Sequence, residues 1–372
     1  MFHTAAAEIG LGRQILRALH LDLPLLGGII LLLSLGFVVL YSASGENMDM
    51  LHRQGVRVAL AFGVLMLLAQ IPHHHLRQWS PWVYLVGVVL LILVMFFGEV
   101  GKGAQRWLDL GLFRFQPSEF MKLAVPMMVA WYFADRPLPP RLRELMVAGV
   151  VVAIPAALIA QQPDLGTALL VTGAGLLVIF LAGIRWRVLL GLGVLALSAA
   201  PLLWHFMQDY QRRRVLTLLN PESDPLGAGY HIIQSKIAIG SGGLYGKGWL
   251  NGTQSQLEFL PERSTDFIFA VYAEEFGLLG VLLLLALYLF VILRGLAIAV
   301  RAQDTYARLL AGSLSLTFFI YVFVNTGMVI GLLPVVGVPL PLFSYGGTSL
   351  VTLMAAFGIL MSINSHRRLL AR

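Results

Sequence analysis

The chain has 372 residues, of which 58% are hydrophobic and 12% are charged. An ordinary soluble domain carries about 25% charged residues, so this composition excludes a soluble globular protein and indicates a protein that crosses a membrane several times. The formal net charge is +7, but the basic residues are spread over short segments between apolar runs, which argues against nucleic-acid binding. Because there are no cysteines, disulfides, cysteine metal ligands and cysteine nucleophiles are excluded.

Ten segments approach the length needed to cross a membrane, which takes about 20 mostly apolar residues. They lie at 24–43, 54–71, 80–98, 116–134, 145–161, 165–183, 187–206, 267–293, 308–332 and 342–364. No cleavable signal peptide is evident between Met1 and Leu23, so the first segment is expected to be a retained helix. These observations predict an all-α, polytopic membrane protein with a single domain over 1–372.

The basic residues orient the chain, because Lys and Arg in short loops mark the cytoplasmic side of a membrane. With the N-terminus inside, Arg13 and Arg77 fall in the cytoplasm, whereas acids such as Asp164 and Glu262 fall outside. Both termini are then cytoplasmic, as an even number of spans requires. The same assignment places a large periplasmic loop, 207–265, between the seventh and eighth spans.

This outer loop contains two recognisable stretches. The pattern of Tyr230–Gly240 predicts a short amphipathic helix that could lie in the outer interface. The glycine cluster Gly240–Gly248 follows it and is not a Walker loop, since Lys247 precedes Gly rather than Ser or Thr. It is either a flexible turn or a set of backbone amides that approach a phosphate or a sugar, and the spacing favours the turn.

Asp266 stands where a polar run meets the long apolar segment that opens Phe267-Ile268-Phe269. A carboxylate there lies at the lip of a membrane helix and can reach both a lipid-linked and a solvated substrate. Since ionisable groups at membrane depth are functional candidates, Asp266 is the first candidate for a catalytic base. Glu274 and Glu275 follow one or two turns later on different helical faces, so at least one of them is expected to stabilise packing.

Two pairs of residues near the fourth segment are candidates for substrate contacts. Glu119 and Lys122 are three apart and therefore neighbours on a helix; they fit a structural ion pair or the wall of a polar cavity equally well. Arg106 could fork onto a phosphate while Trp107 stacks on a sugar. Taken alone, the second pair is better explained as an interfacial aromatic beside a snorkelling arginine.

Other charged or titratable residues can be explained without a role in catalysis. Arg53 and Arg57 lie on one helical face, where like charges are unfavourable unless an anion joins them, and that anion is either a lipid headgroup or a diphosphate. Asp164 is best explained as the N-cap of the sixth segment. The run His73–His75 is predicted to be a solvated cytoplasmic loop. No spacing of His, Asp or Glu predicts a metal site built by the protein.

Several of these strings together resemble the SEDS family (shape, elongation, division and sporulation), most closely its RodA-like members. The resemblance covers nearly the whole chain, and the stretch around Asp266 and the C-terminal signature are its most specific parts. The stretches that carry it are Lys102–Leu110, Gln116–Lys122, Gln162–Thr167, Asn220–Ala270, Asn325, Gly331–Pro334, Gly337 and Leu342–Ser349.

The resemblance implies an inner-membrane peptidoglycan glycosyltransferase of the hexosyltransferase class, which polymerises lipid II during cell elongation and rod-shape maintenance. Such proteins use a disaccharide-peptide carried on undecaprenyl diphosphate and work with a class B penicillin-binding protein, which supplies the transpeptidase. By position, the family's essential acid falls on Asp266, and its Glu–Lys pair falls on Glu119 and Lys122. The expected partners are therefore lipid II, that penicillin-binding protein and membrane lipids.

The reaction requires a sugar hydroxyl to attack an anomeric carbon that carries diphosphate, with a carboxylate as general base and cations on the departing diphosphate. No cofactor site of the protein's own is predicted; a divalent ion, Mg²⁺ or Mn²⁺, would be held largely by substrate oxygens. The sequence does not rank the cations. The candidate substrate-binding residues are Glu119, Lys122, Arg106, Trp107, Arg53, Arg57, Lys247, Glu262, Arg263, Ser344, Gly346 and Gly347.

Prolines and glycines between 331 and 341 break any helix there. Irregular backbone at membrane depth occurs where it lines a cavity or is buried in protein. Ser344–Gly347 is then expected to start the tenth span, where its small residues fit a helix-packing notch as well as a cavity wall.

Two other functions share these features. A flippase or transporter of lipid-linked precursors needs polar groups toward the cytoplasmic half, whereas the polar motifs here lie in outer segments, at 102–116, 161–164, 207–266 and 331–347. A non-catalytic scaffold for a penicillin-binding protein explains the long outer loop but neither Asp266 nor the Glu119–Lys122 pair. The one-sided placement favours an enzyme at the outer face of the membrane.

Overall fold

The computed structural model describes residues 20–101, 104–109, 114–186, single positions between 188 and 207, and 209–223, 227–257, 259–260 and 262–366. Helices dominate these ranges. They are α1 Leu23–Ala43, α2 Met48–Gln70, α3 His73–Phe97, α4 Pro117–Ala134, α5 Leu142–Gln161, α6 Leu165–Leu181, α7 Asp209–Leu219, α8 Ala228–Gly242, α9 Thr253–Gln256, α10 Ile268–Val300, α11 Thr305–Val329 and α12 Thr348–Ser365. Within the described residues, seven helices (α1, α2, α3, α5, α10, α11 and α12) are long and apolar enough to cross a membrane. The chain is therefore an all-α, multi-pass membrane protein.

Nine of the ten predicted spans coincide with helices, namely α1–α6 and α10–α12. The α6 helix is apolar but only 17 residues long, and α4 carries two charged residues, Glu119 and Lys122. The predicted seventh span, 187–206, lies largely outside the described residues. The number of spans therefore stays a prediction.

Three predicted helix starts are wrong by about two turns, and α10 continues to Val300, about two turns beyond the predicted end of the eighth segment at 293. The α2 helix begins at Met48 because the Asn47 side chain accepts a hydrogen bond from Met50 N at 3.0 Å and caps it. The α3 helix begins at His73, so the histidine run forms its first turn and is not a solvated loop. The α12 helix begins only at Thr348, because the four residues of Ser344–Gly347 belong to the loop before it.

A small antiparallel sheet interrupts the helices on the segment between α3 and α4. Its strands are β1 Glu99–Gly101, β2 Ala104–Asp109 and β3 Arg114–Phe115, in the order β1-β2-β3. Trp107 pairs with Glu99 across the first two strands, and Leu108 pairs with Phe115 across the second and third. The hydropathy pattern did not predict these short strands, which fix the position of Arg106 and Trp107.

The segment 207–265, predicted to be a large outer loop, is largely helical in its described part, with α7, α8, α9 and a 3₁₀ turn at Pro221–Ser223. The α8 helix confirms the predicted helix over Tyr230–Gly240, but it packs against α10 and α11 instead of lying alone in the interface. Ile232 and Ser235 on this helix are buried. The Ser235 hydroxyl donates to the Val329 carbonyl at 2.7 Å, so α8 is tied to the end of α11.

The core of the bundle is formed by α4, α10, α11 and α12, around which α1, α2, α3 and α6 pack. The α12 helix lies closest to α2, where a methyl group on Gly358 would come within 2.6 Å of the Leu65 carbonyl oxygen. Small residues permit such close approach of membrane helices. The N-terminal part of α2, with Gln54 and Arg57, lies against the loop that leads into α12.

Candidate active site

Asp266 lies just before α10, and its side chain is half-buried. Its backbone carbonyl accepts a hydrogen bond from the Asn325 amide at 2.8 Å, and the same amide donates to the Val338 carbonyl at 2.7 Å. Asn325 is fully buried on α11. The Asn325 amide thus joins the end of the outer segment to the irregular backbone between α11 and α12.

The loop before α12 runs alongside residues 264–266. The Ser344 hydroxyl accepts from Leu340 N at 2.8 Å and donates to the Thr265 carbonyl at 2.6 Å. Tyr345 N donates to the Ser264 carbonyl at 2.9 Å. The buried Ser344 side chain therefore links the backbone of its own loop to that of residue 265, and it is small enough to fit between them.

Gly337 brings the same irregular backbone close to the candidate base. Its φ is +76°, a conformation that favours glycine. A methyl group at this position would lie 3.6 Å from Asp266 Oδ2, so the backbone of residue 337 faces the carboxylate.

The N-terminal part of α2 completes the site. Gln54 is buried and accepts from Gly346 N at 3.4 Å, while its amide donates to the Ser344 carbonyl at 3.5 Å. The Arg57 guanidinium lies 4.3 Å from the ring centroid of Tyr345, and Gly347 lies beside it. Among the described residues, no carboxylate pairs with half-buried Arg57. Its charge is therefore available to an anion.

Two other basic residues among the predicted substrate-binding candidates lie in different environments from that of Arg57. Lys122 lies 2.5 Å from Glu119 and 5.1 Å from the Tyr321 ring centroid, and both members of the ion pair are buried. This arrangement realises the structural alternative for the pair. Arg53 lies one turn before Arg57 on α2 and is exposed.

Arg106 turns toward the connection between α5 and α6. Its guanidinium donates to the carbonyls of Gln162, at 3.3 Å, and Pro163, and lies 3.8 Å from Asp164 Oδ2. Asp164 accepts from Thr167 N at 3.2 Å, which confirms it as the N-cap of α6. Half-buried Trp107 is the next residue on β2. Arg106 thus braces a turn in this structure.

Lys247 belongs to a separate cluster around Glu274. Its ammonium lies 2.7 Å from the Glu274 carboxylate and 2.7 Å from the Thr253 hydroxyl. The same carboxylate accepts from Gln254 N at 3.0 Å. Neighbouring Glu275 is also buried and accepts from the Ser42 hydroxyl. Both acids therefore stabilise packing, as at least one was expected to do.

The glycine cluster forms a turn after α8, as its spacing favoured, and the backbone of this turn fills a break in α10 as a glycine wedge. Gly277 interrupts the helix with φ 65° and ψ −165°. The backbone of the glycine cluster replaces the missing helical bonds: Lys247 N donates to the Glu274 carbonyl at 3.0 Å, and Leu278 N donates to the Gly243 carbonyl at 2.9 Å. These bonds use amides that a phosphate would otherwise need.

Glu262 and Arg263 form the rim of the site. Glu262 is exposed in a left-handed conformation, with φ 51°, and its carboxylate accepts from the Thr265 hydroxyl at 2.8 Å. Arg263 is half-buried and extends toward Gly45 at the end of α1. Both residues belong to the turn that precedes α10 and contains Asp266.

The structure thus brings together Asp266, Ser344, Gly346, Gly347 and Arg57, and it places the remaining candidates around or apart from them. Sequence reasoning had not assigned Gln54, Asn325 or Tyr345 to the site. The spacing of Gln54 and Arg57, three apart on one helix, was the available signal. The site therefore has a half-buried carboxylate and, on the loop that runs alongside it, a guanidinium that no carboxylate of the described residues neutralises.

Comparison with known proteins gives consistent results. The family model for FtsW, RodA and SpoVE, described as a cell cycle protein, matches residues 22–369. The peptidoglycan glycosyltransferase MrdB of Escherichia coli K12 is 57% identical over 355 residues, which cover 95% of this chain and 96% of that protein. The Helicobacter pylori peptidoglycan glycosyltransferase MrdB (strain 26695) is 38% identical over 94% of this chain and 91% of its own.

Two solved structures are also similar. A chain from a study of the structural coordination of polymerization and crosslinking by a peptidoglycan synthase complex superposes with a TM-score of 0.82. It is 33% identical and covers 94% of this chain and 98% of its own. The Thermus thermophilus rod shape determining protein RodA gives a TM-score of 0.71 at 31% identity, covering 93% and 97% of the two chains.

Proposed function

The chain belongs to the FtsW, RodA and SpoVE family, and from this premise we propose that it is a peptidoglycan glycosyltransferase whose catalytic base is Asp266. The enzyme polymerises lipid II into glycan strands at the outer face of the membrane during cell elongation. The observation that carries the assignment of the base is its setting. Asp266 is fixed through its backbone by Asn325, and its half-buried carboxylate faces Gly337 beside the loop that presents Arg57.

The reaction joins two substrate molecules in one displacement. The Asp266 carboxylate takes the proton of an acceptor sugar hydroxyl as that oxygen forms a bond to the anomeric carbon of the donor. The bond between this carbon and the diphosphate oxygen breaks, and its electron pair leaves with the undecaprenyl diphosphate. A carboxylate at the boundary of water and hydrocarbon can serve an acceptor hydroxyl that arrives from the solvated side.

Arg57 is the cation best placed for the departing diphosphate. It is unpaired among the described residues, whereas Lys122, Lys247 and Arg106 are occupied by Glu119, Glu274 and backbone carbonyls. It also lies beside Gly347, where α12 begins without a side-chain cap. A helix N-terminus and a guanidinium both favour phosphate oxygens, so the two can stabilise the charge that develops there.

The substrate diphosphate is also the expected site for a divalent cation. Within the described part of the chain, no group of three His, Asp or Glu side chains is arranged to hold a metal ion. Mg²⁺ or Mn²⁺ would therefore be bound mainly by substrate oxygens. When bound, such an ion would add charge neutralisation to that supplied by Arg57.

The proposal includes a location and a partner. The distribution of Lys and Arg supports a protein of the inner membrane with both termini in the cytoplasm and Asp266 on the outer side. The similarity to a chain of a peptidoglycan synthase complex supports a class B penicillin-binding protein as the partner, which would crosslink the strands that this enzyme makes.

Purified protein, alone and with its class B penicillin-binding protein, would be incubated with labelled lipid II and the products separated on a gel. We expect glycan ladders from the wild type and none from Asp266→Asn, whose thermal midpoint should stay unchanged. Ladders from a well-folded Asp266→Asn variant would remove Asp266 from the mechanism. Absence of ladders from the wild type in both conditions would contradict the polymerase assignment.

A further inference from the structure

A polar cavity lies at the other end of the bundle from Asp266. Its volume is about 590 Å³, and it is formed by the start of α3, the loop between α10 and α11, and the end of α12. Asp266 precedes α10 and Gly347 precedes α12, whereas Asp304 follows α10 and His366 follows α12. Since α10 alone has 33 residues, the two sites are separated by the length of the membrane helices.

The one carboxylate among the residues that line this cavity is already fully engaged. Asp304 Oδ1 accepts from Ala307 N at 2.8 Å, and Oδ2 lies 2.9 Å from His73 Nε2. Burial alone would raise the pKa of the Asp304 carboxyl, but the bonds from His73 and Ala307 outweigh it and lower that pKa. Asp304 therefore remains charged at neutral pH, and each of its carboxylate oxygens already has a partner within the protein.

The remaining side chains of the cavity are rich in nitrogen. His73 Nδ1 is buried without a hydrogen-bond partner among the described residues. When His73 is protonated, this nitrogen is a donor that lacks an acceptor. Arg77 also lines the cavity, and its carboxylate partner Asp135 has a side chain that is 80% exposed, so water screens that charge. An anion would supply the missing acceptor and balance the guanidinium.

His366 makes the cavity responsive to protonation. Its Nδ1 lies 3.1 Å from the Ser362 carbonyl, and its ring stacks on His20 at 4.1 Å. Burial lowers the pKa of His366, and the neighbouring charges of His20, His73 and His74 act in the same direction. Asp304 and Arg77 are the other charged groups that line the same cavity. An anion among these imidazoles would favour their protonated forms.

We propose that this cavity binds the phosphate group of an anionic ligand, at a site distinct from the glycan-polymerising one. Imidazolium and guanidinium groups donate charge-assisted hydrogen bonds to phosphate oxygens, and the volume accommodates a phosphate with its ester substituent. Both the headgroup of an anionic phospholipid and a soluble phosphate present this chemistry. The described residues offer no metal-binding group of three His, Asp or Glu, which leaves an anion as the ligand that this donor set suits.

Sulfate is the first probe, because its charge does not change between pH 6 and 8. The thermal midpoint of the purified full-length protein in detergent would be titrated with sodium sulfate and compared with sodium chloride at equal ionic strength. We expect saturable stabilisation by sulfate, with an apparent affinity roughly threefold or more tighter at pH 6 than at pH 8, because a protonated imidazole donates to the anion from both of its nitrogens.

The variants separate this site from general salt effects. His74→Gln combined with His366→Gln should abolish the saturable shift, since both rings line the cavity. His75→Gln is the matched control, because His75 is adjacent in sequence but stacks on Trp79 outside the cavity. An equal shift in the double variant and the wild type would overturn the proposal.

Two further arms identify the source of the phosphate. Inorganic phosphate would be titrated as sulfate was, and the protein would be compared in nanodiscs of phosphatidylglycerol and of phosphatidylcholine. Stabilisation by phosphatidylglycerol that depends on His74 and His366 supports a headgroup site, and stabilisation by free phosphate supports a soluble ligand. Failure of sulfate, phosphate and phosphatidylglycerol alike would overturn the proposal while leaving the polymerase assay unaffected.

Discussion

Asp266 and Glu274 are only eight residues apart, yet the two acids differ in burial and in hydrogen-bond partners. Asp266 is held through its backbone carbonyl by Asn325, and its side chain is half-buried beside Gly337. Glu274 is fully buried, and one of its carboxylate oxygens receives donors from Lys247, Thr253 and the Gln254 amide. A fully buried carboxylate among donors stabilises structure, whereas a half-buried one at the end of a helix can be reached by a substrate.

The same contrast separates the cations. Lys122 and Lys247 each neutralise a buried glutamate, and each would leave an uncompensated charge if removed. Arg57 is oriented by an aromatic ring and has no carboxylate partner among the described residues. Four substitutions test this division, starting with the one expected to have the largest effect.

Glu119→Ala should reduce the free energy of unfolding by about 4 kcal/mol, because it leaves the Lys122 ammonium buried without its counter-charge. Activity should fall with stability. Unfolding in detergent would measure the loss, and adding Lys122→Met should restore part of it. Glu99→Ala is the control, because its ion pair with Arg114 is exposed and contributes little. Equal stability of Glu119→Ala and Glu99→Ala would contradict the burial of this pair.

Glu274→Ala should cost about 3 kcal/mol, somewhat less than Glu119→Ala, because Lys247 keeps partial contact with water. The substitution also leaves the Gln254 amide and the Thr253 hydroxyl without their acceptor. Chemical unfolding would measure the change. If the variant kept full stability but lost polymerisation, the roles assigned to the two acids would have to be exchanged.

Gly277→Ala should destabilise the protein by about 2 kcal/mol, because the residue has a positive φ that alanine rarely adopts. An added methyl group would also lie only 2.3 Å from Gly246 N, where the glycine wedge enters α10. Gly63→Ala is the matched control, since the space around this helical glycine is open. That control should be neutral or stabilising by up to about 1 kcal/mol. Similar effects of both substitutions would argue against the wedge.

Arg57→Lys should weaken lipid II binding about tenfold, equivalent to about 1.4 kcal/mol, because lysine cannot reproduce a stacked guanidinium fork. Arg53→Lys should raise the KM for lipid II less than Arg57→Lys does. The reason is that Arg53 is exposed and lies one turn away from Arg57 on α2. Initial rates over a range of lipid II concentrations would give both values. A larger effect at Arg53 than at Arg57 would place the diphosphate outside the loop at Gly347.

Much of the architecture is readable from the sequence, because long apolar runs in a membrane protein have few alternatives to helices. The cap at Asp164 was also predictable, since a side-chain cap acts within one helical turn. Asp266 and the small residues at 344–347 were recognised as candidates in advance. Whether they act on substrate stays a prediction for the experiments above.

What the sequence did not predict depends on contacts between distant residues. Gln54 and Ser344 are hydrogen-bonded although they are 290 positions apart in the sequence. Lys247 contacts Glu274 because the glycine cluster packs against α10 where Gly277 interrupts the helix. Asp266 lies before α10 and not within it, so helical periodicity does not relate its side chain to those of Glu274 and Glu275. The local periodicity of a sequence contains no information about contacts between residues that are far apart in the chain.

The most direct test measures Asp266→Asn and Glu274→Gln side by side, with lipid II polymerisation rate per folded molecule and thermal midpoint recorded for each. For Asp266→Asn, we predict a loss of rate of about 10²- to 10⁴-fold at an unchanged midpoint. Glu274→Gln should lower the midpoint while the rate per folded molecule stays within a few-fold of the wild type. The opposite pattern, with catalysis lost at Glu274 and kept at Asp266, would contradict the account.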